Sequence, residues 1–232
     1  MWVPRAPSTL AKAVSLAELL SQPAPPPRER LKLAVRLASS VLQFHTSGWL
    51  QDRWGKEDVY LVQRDFSQSS LETPVFHHTF TLEPPSSEPS MKLSIYHHNP
   101  SLFSLGIILV ELWFWKCVES LQADKCQERD PDMARFTTAY GLINQLNEGA
   151  GAKYGNSVWH CICGLGTQEP GLEKYNEFKN EVYLKVLQPL EKHLEAFCDK
   201  SLEEIFPASS LSLPSPCQAC HQCRLSRSSE SG

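Results

Sequence analysis

At 232 residues, 41% of them hydrophobic and 21% charged, the chain can bury a substantial core and has the make-up of an ordinary soluble globular protein. A net charge of -4 and a pI near 6.1 exclude the broad basic field that holds a phosphate backbone, so nucleic acid is not an expected partner. The amino terminus lacks the apolar stretch of a signal peptide, and the most apolar run, residues 102–115, carries Glu111 and falls short of the about 20 residues of a bilayer span; a cytoplasmic protein with no membrane span is expected.

Residues 1–7 read as an extension. From Ser8 and Thr9 the sequence LAKAVSLAELL predicts a short amphipathic helix, stopped by the prolines at 23–27. A second helix is predicted from Arg28, with Leu31, Ala34, Val35, Ala38, Val41, Leu42 and His45 along one apolar side. Residues 48–99 are irregular, with β-like pieces at 59–62 and 75–82 and a flexible EPPSSEPS at 83–90. Asn99-Pro100 is a helix start, an N-cap followed by a proline whose missing N–H costs nothing there. The sequence after it, SLFSLGIILVELWFWKCVESL, is apolar on nearly every side and belongs at the centre of the molecule. Helices are expected at 131–147 and 153–163, joined through EGAGA. A last long one is expected at about 172–206, with Val182, Val186, Leu190, Leu194 and Phe197 on one face and a kink at Pro189. Residues 207–232 have the composition of a disordered Ser/Pro/Cys tail.

Residues 45–61, HTSGWLQDRWGKEDVYL, have the spacing of a protein-kinase catalytic loop, H-S-x-G-x-x-H-R-D-L-K-P-E-N-I-L-L. His45, Gly48, Glu57, Val59 and Leu61 fall in place. Where a kinase has the aspartate that accepts the substrate proton the chain has Arg53, and where it has the metal-binding asparagine the chain has Asp58. A guanidinium stays protonated and cannot act as that base. Residues 101–112, SLFSLGIILVEL, resemble the central helix of the kinase C-terminal lobe, with Ser101 where kinases keep the aspartate that anchors the catalytic loop. A loop that does no chemistry no longer needs that anchor. Asp65-Phe66-Ser67 imitates a magnesium-binding D-F-G, but it follows Asp58 too closely and lacks the glycine. No glycine-rich phosphate loop, no V-A-I-K lysine and no strand-rich amino-terminal lobe precede Arg28.

The chain also resembles a fungal family of unknown function built on such a reduced kinase-like C-lobe and often found with HeLo or prion-inhibition domains. The matching features are LKLAVRLASSVLQFH, Trp54 with KEDV at 56–59, NPSLFSLGIILVEL and KYGNSVWHCI. The resemblance implies a mainly α fold over residues 8–206, a kinase-like C-terminal lobe with one or two short β-hairpin pieces and no N-lobe. It also implies a catalytically inactive interaction or regulatory module in intracellular signalling or fungal incompatibility, with a protein partner and no catalytic, cofactor or metal residue. Two alternatives stay open: a divergent phosphotransferase using Asp52 or Asp65, and a fragment of a larger HeLo-containing protein.

Other clusters have ordinary readings. Cys217, Cys220, His221 and Cys223 have zinc-like spacing, yet they crowd into seven residues of the tail, where one turn does not readily supply a tetrahedral set. His160, Cys161 and Cys163 read as helix packing, and the pairs His77-His78 and His97-His98 as loop histidines. GAGAKYG at 149–155 lacks phosphate-loop spacing and reads as a connection between helices. A buried Glu111 requires a cation, expected from an Arg or Lys on a neighbouring helix. Residues 113–115 place three large rings in a row, which cannot all face inward.

Overall fold

The computed structural model describes residues 12–44, 50, 54–63, 74–76, 99–122, 130–165 and 175–198. His45, Asp52, Arg53, residues 65–67, the two histidine pairs and the tail cysteines with His221 lie outside them.

The fold is mainly helical, with one small sheet. Strand β1 (Lys12–Ser15) pairs antiparallel with β2 (Val59–Gln63), which pairs antiparallel with β3 (Pro74–Phe76). β1 corrects the expected first helix. Residues 12–15 alternate an exposed Ala13 with a buried Val14 and pair with β2 along their length, so tertiary pairing overrides a weak local helix preference. Only Leu16–Leu20 is helical (α1). Ser15 caps it by accepting a hydrogen bond from the Glu18 amide at 3.1 Å, and Leu16, Leu19 and Leu20 turn inward.

Helix α2 (Pro27–Phe44) buries Leu31, Ala34, Val35, Ala38 and Val41 as the periodicity predicts, and Leu33 and Leu37 as well. That wide apolar face meets α3 on one side and the carboxy-terminal helices on the other. Helix α3 (Pro100–Phe114) is the centre of the molecule, buried from Ser101 to Leu112 except at Ser104. Asn99 caps it, its side chain accepting from the Leu102 amide at 2.9 Å. Gly106 lets α3 approach helix α7 (Ala152–Cys163) closely: a Cβ there would lie 2.8 Å from Ile162 Cγ1 and 2.9 Å from Cys161 Cβ.

The central helix is shorter than its apolar run suggests. Trp115 takes a left-handed conformation (φ 52°) and its amide bonds back to the Glu111 carbonyl, ending the helix. The cost of that conformation in a bulky residue is offset by burial of the ring and by its indole N–H, which donates to the Gln22 carbonyl at 2.9 Å. A one-turn helix α4 (Val118–Leu121) follows. Of the three rings in a row, Trp115 is buried while Trp113 and Phe114 are half-buried. The Arg30 guanidinium sits over the Trp113 ring, 5.2 Å from its centroid.

The helix expected over 131–147 is broken at Leu142 into α5 (Pro131–Gly141) and α6 (Ile143–Gly149), next to the weak helix former Gly141. Of GAGAKYG, Gly149 ends α6, only Ala150 and Gly151 form the connection, with Gly151 at φ +90°, and residues 152–155 open α7. Cys161 is buried against α3 and Cys163 is half-buried, in keeping with the packing role expected of them.

The last helical run is α8 (Tyr175–Val182), a π turn (Tyr183–Leu187) and α9 (Gln188–Cys198). The widened turn lies just ahead of Pro189, and the Gln188 amide reaches the Tyr183 carbonyl five residues back. A wider turn relieves the clash between a proline ring and the carbonyl four residues before it. Val182, Val186, Leu190 and Leu194 are buried as expected, but Phe197 is 50% exposed. Phe197 stands in the last turn of α9, one residue before its end.

Candidate functional site

Residues 54–58, immediately before β2, form a closed turn. The Asp58 amide donates to the Gly55 carbonyl at 3.1 Å, and the Gly55 amide donates to Asp58 Oδ2 at 2.9 Å. The Ala17 amide donates to the Lys56 carbonyl at 3.2 Å, tying the turn to α1. Trp54 fixes its other side. Its ring stands edge-on to Phe76 of β3, with centroids 5.3 Å apart, and its indole N–H donates to Ser101 Oγ at 3.0 Å.

The sequence suggested a loop with no further need of an anchor at Ser101; in the structure that serine, at the head of the central helix, holds the 54–58 turn through the Trp54 indole. Both groups are buried, so the hydrogen bond satisfies two polar atoms that would otherwise each cost free energy.

Lys56 projects from the turn into a set of charges on α3, α4 and α5. Its Nζ lies 3.1 Å from Glu111 Oε1 and 3.0 Å from Glu119 Oε2. Glu111, 1% exposed, also accepts the Val118 amide on Oε1 at 2.9 Å, while its Oε2 has no hydrogen-bond partner among the described residues. Glu119 continues the chain outward to Arg135 at 3.0 Å, and Arg135 approaches Asp132 at 4.0 Å. A single lysine from the loop thus joins α3 to α4 and, through Glu119 and Arg135, to α5. The cation that Glu111 requires comes from that loop, where the sequence had suggested a neighbouring helix.

The environment shifts these groups in different directions. Burial would depress Lys56, but Glu111 and Glu119 outweigh it and raise its pKa. Burial raises Glu111, more than the Val118 amide and Lys56 lower it. Glu119 is held below the usual carboxylate range: burial opposes this, and bonds from its own amide, Lys56 and Arg135 prevail. Burial pushes up the thiol of Cys117, the residue before α4.

Beside this cluster lies a cavity of about 250 Å³, whose walls include Trp54, Lys56, Phe103, Ile107, Glu119 and Arg135. Asp58, at its edge, spends one carboxylate oxygen on the Gly55 amide. The two cations are tied to Glu111 and Glu119, so the site shows a closed ion network beside a partly apolar hollow. Sequence reasoning singled out Asp58, Ser101 and Glu111; Ser101 stands in the first turn of the central helix and Glu111 in its last, and the turn that carries Asp58 reaches them through Trp54 and Lys56. It did not single out Cys117, Glu119 or Arg135, which lie on short helices whose periodicity carries little signal.

A family model matches residues 4–197. The chain belongs to the domain-of-unknown-function family DUF7580. No curated protein and no solved structure matches it. The described part of this DUF7580 domain contains no helix long and apolar enough to cross a membrane.

Proposed function

We propose that this DUF7580 domain is a reduced kinase-like C-terminal lobe without catalysis, acting as an interaction or regulatory module in an intracellular fungal signalling or incompatibility pathway. One observation carries the reading. The turn at 54–58, which falls where a kinase keeps its catalytic loop, directs its charged groups into the scaffold: Asp58 to the Gly55 amide, Lys56 to Glu111 and Glu119. Phosphoryl transfer depends on a base, a lysine and metal ligands that face the nucleotide together, and loss of one such part costs orders of magnitude in rate. The sequence adds Arg53 at the position of the base. Order along the chain supports the same lineage: an amphipathic helix, the loop, a short strand pair and then a fully buried central helix whose first turn holds the loop.

Transfer of radiolabelled phosphate from ATP, with magnesium or manganese, tests the proposal. No incorporation above background is expected. Incorporation that disappears in Arg53→Ala or Asp65→Ala would replace this reading with that of a divergent phosphotransferase.

A further inference from the structure

Three different acceptors converge near the Lys56 ammonium. One carboxylate oxygen each of Glu111 and Glu119 and the thiol of Cys117 lie within 4.8 Å of one another, and both carboxylates contact Lys56 Nζ. An ammonium and a tetrahedral metal ion make similar demands on their surroundings, a few anionic or polar donors pointed at one centre. A thiolate with two carboxylates is a ligand set suited to a borderline-soft divalent ion, with one position left for water. A separate observation also points to a missing ligand: Glu111 Oε2, on a side chain only 1% exposed, has no partner among the described residues. A buried carboxylate oxygen left without a donor is costly, and the cation now present satisfies only its neighbour, Oε1.

We infer that Glu111, Cys117 and Glu119 form a zinc site that Lys56 occupies in the metal-free protein and yields when zinc binds. The donors need to draw in by about 1 Å, to the roughly 3.5 Å spacing around a tetrahedral zinc. Glu119 is exposed, which gives the ion an entry path, and Arg135 holds its other oxygen in the manner of an outer-shell partner. The displaced ammonium has a berth at hand. Glu57 Oε1 is 4.0 Å from Lys56 Nζ on a largely exposed side chain. Cys117 releases its thiol proton to solvent as it coordinates, and no electron is transferred. Zinc would then release Lys56 from α3 and α4 while Trp54 still ties the turn to Ser101, a regulatory step that does not depend on whether the domain transfers phosphate.

The test uses the full chain carrying Cys217→Ser, Cys220→Ser and Cys223→Ser, which removes the tail thiols. Cadmium, read by its ultraviolet thiolate charge-transfer absorption, and zinc, read by the thermal midpoint, are the probes. The expected results are one thiolate's worth of absorption and a zinc-dependent rise in midpoint, both lost in Cys117→Ser and weakened at least about tenfold in Glu119→Gln. Lys56→Gln removes the competing ammonium and should tighten binding about tenfold or more, a change a merely structural lysine would not produce. The inference is overturned if absorption survives in Cys117→Ser, if the effect is confined to the chain with its tail cysteines, or if Lys56→Gln binds no more tightly.

Discussion

Replacing Lys56 by methionine keeps most of the side-chain stem and deletes the charge at the centre of the site. Glu111 would then retain only the Val118 amide on Oε1 and nothing on Oε2, inside a protein interior. Removing one partner of a buried pair leaves an uncompensated charge and costs about 3–5 kcal/mol. Urea unfolding followed by tryptophan fluorescence can read this, since Trp54 lines the site and Trp115 is buried. With a slope of about 2 kcal/mol per M, the midpoint should fall by about 2 M at pH 7. The sign of the pH dependence is fixed by Glu111. Its folded pKa is raised by burial, so folding favours its protonated form, and the variant's deficit should be full at neutral pH and shrink as pH falls toward 4.5. Replacing Glu111 by methionine in the same chain should return most of the loss, because two apolar side chains leave no stranded charge. A single variant within about 0.5 kcal/mol of the parent at pH 7, a size typical of surface changes, would refute the reasoning. So would a deficit equal at pH 7 and pH 5.

Trp54→Phe keeps a ring against Phe76 and removes the donor to Ser101; a loss of about 1–2 kcal/mol in urea unfolding is expected, with Ser101→Ala in the same chain adding little. Gly106→Ala brings a Cβ to within 2.8 Å of Ile162 and 2.9 Å of Cys161, so an overpacking cost of about 1–3 kcal/mol should exceed the roughly 1 kcal/mol gained in helix preference and lower the urea midpoint. Because Glu119 has a lowered folded pKa, its contribution is present above pH 4.5 and lost as pH falls through the lowered value. The gap between the parent and Glu119→Gln, measured as urea midpoints, should therefore be present at pH 7 and close at pH 3.

Long, strongly periodic segments were legible from sequence. The apolar face of α2, the Asn99-Pro100 start of α3 and the burial of that helix follow from residue spacing and cap chemistry. Features set by distant partners were not. β1 carries a sequence that reads as helix and becomes a strand because β2 supplies its hydrogen bonds. The stop at Trp115 depends on a bond from its indole to Gln22, 93 residues away, which no local window contains. At the site, the charge conflict of Glu111 on an apolar helix was visible, and it called for a cation. Which cation answers it depends on where the 54–58 turn lands, and that is decided by the Ala17–Lys56 and Trp54–Ser101 contacts rather than by local sequence.

The same contacts explain how the 54–58 turn is held. Here the turn is bound by its own backbone, by α1 and by the head of α3, while Lys56 joins Glu111 on α3 to Glu119 on α4 and, through it, Arg135 on α5. Polar groups that would be a liability facing an empty cleft become the fasteners of short helices that bury little apolar surface themselves; α4 buries only Val118 and α5 only Ala139. The order of α4 and α5 is therefore coupled to the loop through one ammonium. Any cation that competes for Glu111 and Glu119 acts on both helices at once.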